Sequence, residues 1–253
     1  MSGQGIPMAG YKNTKSDEAL RIQEELQQYF VHTSYDCPYG LPHKAIYNQA
    51  LFDIMPDFIM GAYLAAGYRR NGNVIYNMHC KDCKECLPIR ISPPEFKASR
   101  NQKRVWQKNR DIEVTINPLS CSQENLVLLE KFLAGRYPGR DTSALDHYTG
   151  FFINHITTSV EFSYRADSRL VGVAIVDLSP SWLNVVFFYF DPAEAARSPG
   201  TFNILYLIEF CRQKKIEFVY LGYWIKNVNS MKYKANFKPH FILRGNTWRL
   251  IER

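Results

Sequence analysis

The sequence predicts a mixed α/β fold with a largely antiparallel sheet, on three observations. Three β-rich runs, 160–164, 170–178 and 183–190, follow one another closely, as antiparallel neighbours do. A helical pattern over 201–214 then precedes a strand at 218–222, a short helix near 231–235 and a last strand near 241–249. No nucleotide-binding glycine loop and no internal repeat is present, so a doubly wound dinucleotide fold is excluded.

The earlier elements follow in order. Ser16 and Asp17 cap an amphipathic pattern, Leu20, Leu26 and Phe30, which reads as a short helix. Residues 37–43 are rich in proline and glycine and form a loop. Pro56 suits the first turn of a helix running to Ala66, with Gly67 as its stop. Asn71-Gly72 lies between two short apolar or aromatic segments and predicts a hairpin turn. Pro93-Pro94 marks a break, 99–110 forms a basic helix, and 112–116 alternates like a strand. Helical patterns at 126–133 and 148–156 then lead into the β-rich runs. This change of texture near residue 120 suggests an accessory domain over 1–118 and a second domain over 119–253.

The chain has 253 residues, 46% apolar and 22% charged, which excludes a disordered tail or a fibre. Nowhere do 18 apolar residues run together, so no membrane-spanning helix is expected. Residues 1–15 carry no apolar stretch of the kind that directs secretion. The expectation is a soluble, cytoplasmic monomer.

The net charge of +7 hides a segregation. Residues 69–110 carry 11 Lys and Arg against 3 Asp and Glu, and residues 212–249 carry 9 against 1. Everything else is acidic. Two basic stretches around an acidic middle suggest a face for a polyanion, and Trp106, Tyr223, Trp224 and Tyr233 add rings on which bases can stack. Two ordinary solvated faces are the alternative.

Three of the six cysteines, Cys80, Cys83 and Cys86, form a Cys-x-x-Cys-x-x-Cys run. With no export signal, this spacing argues for metal or redox chemistry over disulfides. No second Cys-x-x-Cys pair exists to complete a common zinc site. Three thiols plus one remote cysteine resemble iron–sulfur ligation at least as well, with Cys37 as the remote ligand. Iron–sulfur, zinc and free thiols all remain open on this reading. Cys121 and Cys211 lie in helical patterns.

Four ordered segments carry a resemblance over nearly the whole chain: YLAAGYRRNGNVIYNMHCKDCKECLPIRI, SRNQKRVW, GTFNILYLIEF and VYLGYWIKNVNSMKYKANFKP. They resemble the bacterial aminoacyl-tRNA–protein transferases, which include the aspartate/glutamate leucyltransferases and are related to the eukaryotic arginyltransferases. The resemblance implies a GNAT-type acyltransferase domain in the C-terminal half. It also implies transfer of an amino acid from a charged tRNA to the N-terminal amine of an acidic-started protein, marking that protein for degradation. Leucine is the implied cargo, with arginine or lysine as the alternative.

An aminoacyl ester is already activated, so the reaction needs positioning and oxyanion stabilisation rather than a covalent nucleophile or a cofactor. The chain has no Gly-x-Ser-x-Gly elbow. Its segment before the 201–214 helix has Gly200 as its only glycine, poorly suited to a CoA pyrophosphate. With the resemblance, Asp177 is expected to orient or deprotonate the attacking amine, beside Tyr223 and Trp224. Lys232, Tyr233, Lys234, Arg100 and Lys103 are expected to hold the tRNA. Arg90, Arg104 and Arg69 are candidates to receive an acidic acceptor side chain, since a guanidinium fits a carboxylate in bidentate fashion. A non-catalytic tRNA-binding module and an acyl-CoA-dependent transferase are the competing classes.

Overall fold

The computed structural model describes residues 11–139 and 141–252. Its first element is a helix, α1 (Tyr11–Leu26), which begins five residues ahead of the Ser16 cap expected from sequence. A hairpin follows from strands that the sequence reading missed, β1 (Val31–Asp36) and β2 (Lys44–Leu51). After α2 (Asp57–Ala65) comes the expected turn, joining β3 (Arg69–Asn71) to β4 (Val74–Met78) with Gly72 at φ +55°. These strands form a four-stranded sheet in the order β1-β2-β4-β3.

The second sheet has eight strands in the order β12-β11-β5-β10-β9-β8-β7-β6. Its strands are β5 (Leu87–Ile91), β6 (Glu113–Pro118), β7 (Ser159–Ala166), β8 (Arg169–Leu178), β9 (Trp182–Phe190), β10 (Phe218–Trp224), β11 (His240–Arg244) and β12 (Thr247–Ile251). All pairings are antiparallel except β9 with β10. The single last strand expected at 241–249 is therefore a hairpin, turned at Gly245. The sheet also draws β5 and β6 from the N-terminal side of residue 118, so one sheet spans the expected boundary.

Helices cover both faces. α3 (Arg100–Lys108) and α6 (Pro199–Lys214) pack against Phe162, Ala174, Val176, Leu183 and Val219. α4 (Gln123–Arg136) and α5 (Ala144–Phe151) pack against Val173, Ile175 and Tyr189. Along β8 these residues alternate between the two cores, so the strand is apolar on both faces, as a central strand must be. α2 closes a third core with Trp182 and Tyr220, binding the four-stranded sheet to the large one. A last short helix, α7 (Asn229–Lys232), leads into a turn over Tyr233–Asn236. No helix among the described residues is long and apolar enough to cross a membrane.

Candidate active site

β9 and β10 pair only from Trp182 to Asn184 and from Phe218 to Tyr220; beyond that point they diverge. Both strands carry an irregularity where they part. β9 shifts register against β8 at Val186, and β10 shifts against β5 between Tyr220 and Tyr223. Gly222 lies in that second bulge at φ +82°, a left-handed conformation that favours glycine. Bulges twist strands and end pairing, so these two open a wedge in the middle of the sheet.

Two cations fill the wedge. Arg69 reaches across from β3 and donates from Nη2 to the carbonyl of Val185, on the β9 lip, at 2.8 Å. Lys234 donates from Nζ to the carbonyl of Tyr223, on the β10 lip, at 3.0 Å. Arg69 is buried and the Lys234 side chain is half-buried. No carboxylate among the described residues lies within ion-pair distance of either. Burial, followed by the like charge of Arg69, pushes the Lys234 ammonium down to about 7. Burial also lowers the Arg69 guanidinium, which stays charged, while Tyr76, Tyr223 and the nearby Asp177 carboxylate favour its cationic form. Tyr39, Tyr76 and Tyr223 surround it, and burial raises each phenol, so all three keep their protons. A buried guanidinium with no carboxylate in ion-pair contact among the described residues, beside a half-buried lysine, makes a seat for a carboxylate.

The other candidates divide. Asp177 is not the free carboxylate expected at a cleft edge. It is fully buried, and its oxygens accept from Arg70 Nε at 2.8 and 2.9 Å, Ser159 Oγ at 2.6 Å and Asn184 Nδ2 at 2.8 Å. With its oxygens so occupied and no contact with solvent, it anchors the β3–β4 hairpin to β8. Arg90 is corrected likewise. Its guanidinium lies 3.7 Å from the Phe218 ring centre and 4.2 Å from that of Trp248, and it donates to Tyr220 Oη at 3.1 Å. Sandwiched in this way, it supports β5 outside the wedge. Arg104 lies on α3 with Arg100 and Lys103, all three exposed.

Tyr223 is buried in the β10 lip, donating to Gly67 O at 3.4 Å, so its ring is not a stacking surface. Trp224 is half-buried, with its indole N–H on the Lys232 carbonyl at 3.3 Å. Tyr233 points towards the start of α6, its Oη 3.9 Å from where a Cβ on Gly200 would stand. Lys232 is exposed. Gln102 on α3 donates to Asn236 O at 3.2 Å, which fixes the basic helix to the turn bearing Tyr233 and Lys234.

Cys37, Cys80, Cys83 and Cys86 meet at one end of the four-stranded sheet. Burial first, then the other three sulfurs, pushes the Cys86 thiol up to about 12, and the Ile46 amide donates to Cys80 Sγ at 3.4 Å. Among the described residues, however, no group of three or more His, Cys, Asp or Glu side chains is arranged to hold a metal ion.

Sequence reasoning missed Tyr39, Tyr76 and the lip carbonyls. Gly222 was signalled only by the glycine inside the LGYWI strand pattern.

A family model described as "Arginine-tRNA-protein transferase, N terminus" matches residues 35–104, and its C-terminal counterpart matches residues 124–244. The aspartate/glutamate leucyltransferase of Methylobacillus flagellatus is 32% identical over 88% of this chain and 92% of its own length. That of Pseudomonas fluorescens is 36% identical over 72% of this chain and 78% of its own length. Among solved structures, L-PGS from Bacillus licheniformis aligns with a TM-score of 0.44 at 13% identity, over 72% of this chain and 54% of that one. FemX aligns at 0.41 and 8%, over 87% and 70%. The chain is a transferase with a mixed, largely antiparallel sheet, and it belongs to the aspartate/glutamate leucyltransferase family of aminoacyl-tRNA–protein transferases.

Proposed function

We propose that this protein transfers leucine from leucyl-tRNA to the N-terminal amine of proteins that begin with Asp or Glu, tagging them for degradation in the cytoplasm. The observation that carries the acceptor side of this reading is Arg69, a buried guanidinium in the wedge with no carboxylate of its own. A substrate carboxylate supplies the missing partner, and an uncharged isostere leaves the cation buried and unpaired.

The chemistry then needs little more than placement. The acceptor side chain sits on Arg69, which brings the α-amine to the wedge where the leucyl ester arrives. The amine attacks the ester carbonyl carbon, a C–N bond forms, and the C–O bond to the terminal ribose breaks. Lys234, with an ammonium that titrates near neutrality, takes the proton the amine must lose. The departing ribose hydroxyl is the final proton acceptor, so the step balances without a cofactor.

The tRNA lies over α3 and the Tyr233–Asn236 turn. Arg100, Lys103, Arg104 and Lys232 are exposed and free of ion pairs among the described residues. Arg165, Arg169 and Arg197, by contrast, are all committed to carboxylates. Free cations beside half-buried Trp224 and Tyr233 suit phosphates and stacked bases. The cysteine corner is read as a structural tie between the ends of β1, β4 and β5, with no part in transfer.

The test is direct. Purified protein, leucyl-tRNA and an Asp-started peptide should yield a peptide heavier by one leucyl residue, and arginyl- or lysyl-tRNA should not. Transfer from a thioester carrier but not from charged tRNA would refute the reading.

A further inference from the structure

The sheet face that carries Arg69 continues beyond the wedge. Register sets Arg69 opposite Tyr76, Tyr76 opposite Gln49 and Gln49 opposite Val31, so these four share one face. Alternation adds Thr33, Tyr35 and Tyr47 on one flank, and Asn71, Val74 and Leu51 on the other. The other face differs: there Asn48, Ala50 and Ile75 are buried. On the Arg69 face, exposure climbs with distance from the wedge, from 8% at Arg69 to 56% at Tyr35, 58% at Val31 and 75% at Leu51.

Two further features mark this face. Its phenol rings make a continuous row, with centres 6.4 Å apart for Tyr223–Tyr76, 5.3 Å for Tyr76–Tyr47 and 5.8 Å for Tyr47–Tyr35. Thr33 Oγ1 and Asn71 Oδ1 are buried on it without a hydrogen-bond partner among the described residues. A half-buried surface with exposed Val31, Tyr35 and Leu51 suits a ligand that brings apolar side chains.

We infer that this face is the track of the acceptor polypeptide, with its second to fifth residues crossing from β3 to β1. The inference rests on the reading that Arg69 holds the first residue's carboxylate. From β3 to β1 is three strand spacings, ~14 Å, which an extended chain at ~3.3 Å per residue covers in about four residues. Apart from Arg69, none of these positions is Lys or Arg, so the face lacks the charge a nucleic acid needs. It is also continuous with the acceptor seat, and its row of tyrosine rings fits apolar peptide side chains.

Steady-state leucylation of two acceptors tests this: the amide of Asp-Ala, and an Asp-started hexapeptide with Phe and Leu at its third and fourth positions. KM should be at least tenfold lower for the hexapeptide. Tyr35→Ala and Leu51→Ser, both at exposed positions, should erase most of that advantage. A hexapeptide with a photoreactive phenyl ketone at position four should crosslink within residues 31–51, which provides a readout without any substitution. An unchanged KM ratio in both variants, or crosslinks confined elsewhere, would overturn this inference alone. Failure of the wild-type protein to leucylate either acceptor would instead bring down the reading of Arg69, and this inference with it.

Discussion

The guanidinium of Arg69 lies against the bare Cα of Gly222: a Cβ built there would stand 3.0 Å from Nη2 and 3.2 Å from Cζ. One residue comes from the small sheet and the other from the large one, so this contact joins the two at the wedge. It explains why the acceptor seat needs both units of the fold.

Gly222→Ala therefore meets two costs, a side chain at φ +82° and a collision with the end of Arg69. The expected loss of stability is about 1–3 kcal/mol. Because the flexible guanidinium gives way first, KM for the acceptor should rise by more than KM for the tRNA. Steady-state kinetics with each substrate varied in turn measures the split.

Asp177 separates anchoring from base catalysis. Asp177→Asn leaves Arg70 buried without its anion, and breaking such a pair costs ~3–5 kcal/mol. Thermal melting should show a Tm lower by roughly 10 °C. A variant that melts like the wild type but transfers nothing would restore Asp177 as a base.

Lys234 is held at a folded-state value below that of the unfolded chain, so the unfolded chain binds more protons between about pH 7 and pH 10. Its contribution to stability therefore improves as pH rises through that window, and it costs most below pH 7. Lys234→Met should raise Tm, with the largest gain below pH 7, while transfer falls. Between pH 5.5 and 6.5, log kcat/KM should climb with a slope near 2 in the wild type, from Lys234 and the acceptor amine, whose pKa is ~8. The slope should drop to about 1 in the variant.

The donor face is tested by salt. Arg100→Ala and Lys103→Ala should each weaken tRNA binding and lower the slope of log K against log salt by about 1. Arg165→Ala, whose guanidinium is held by Glu124, should leave that slope unchanged. Filter binding across a salt series reads all three.

The sequence made the C-terminal sheet legible because its strands are long and apolar on both faces, with a cleanly periodic helix between them. β1, β2 and β5 escaped notice for physical reasons. β1 is almost wholly exposed and follows a helix directly, and β5 is five residues with a proline at its second position. β5 pairs only with β10 and β11, both distant in sequence. The same limit applied to the site. Arg69 and Arg70 are neighbours of one type, yet strand alternation sends one to the wedge and the other to Asp177. Arg90 and Arg69 both lie in the basic stretch, and only the fold shows that one stacks on Phe218 and Trp248 while the other reaches the Val185 carbonyl in the wedge.

The most direct test is the ratio of kcat/KM for Asp-started over Asn-started peptides, in the wild type and in Arg69→Gln. If a lone buried cation selects the acceptor, the ratio should be roughly 100 or more in the wild type and fall to within about threefold of unity in the variant. A variant that keeps the wild-type ratio while it loses rate would contradict the account.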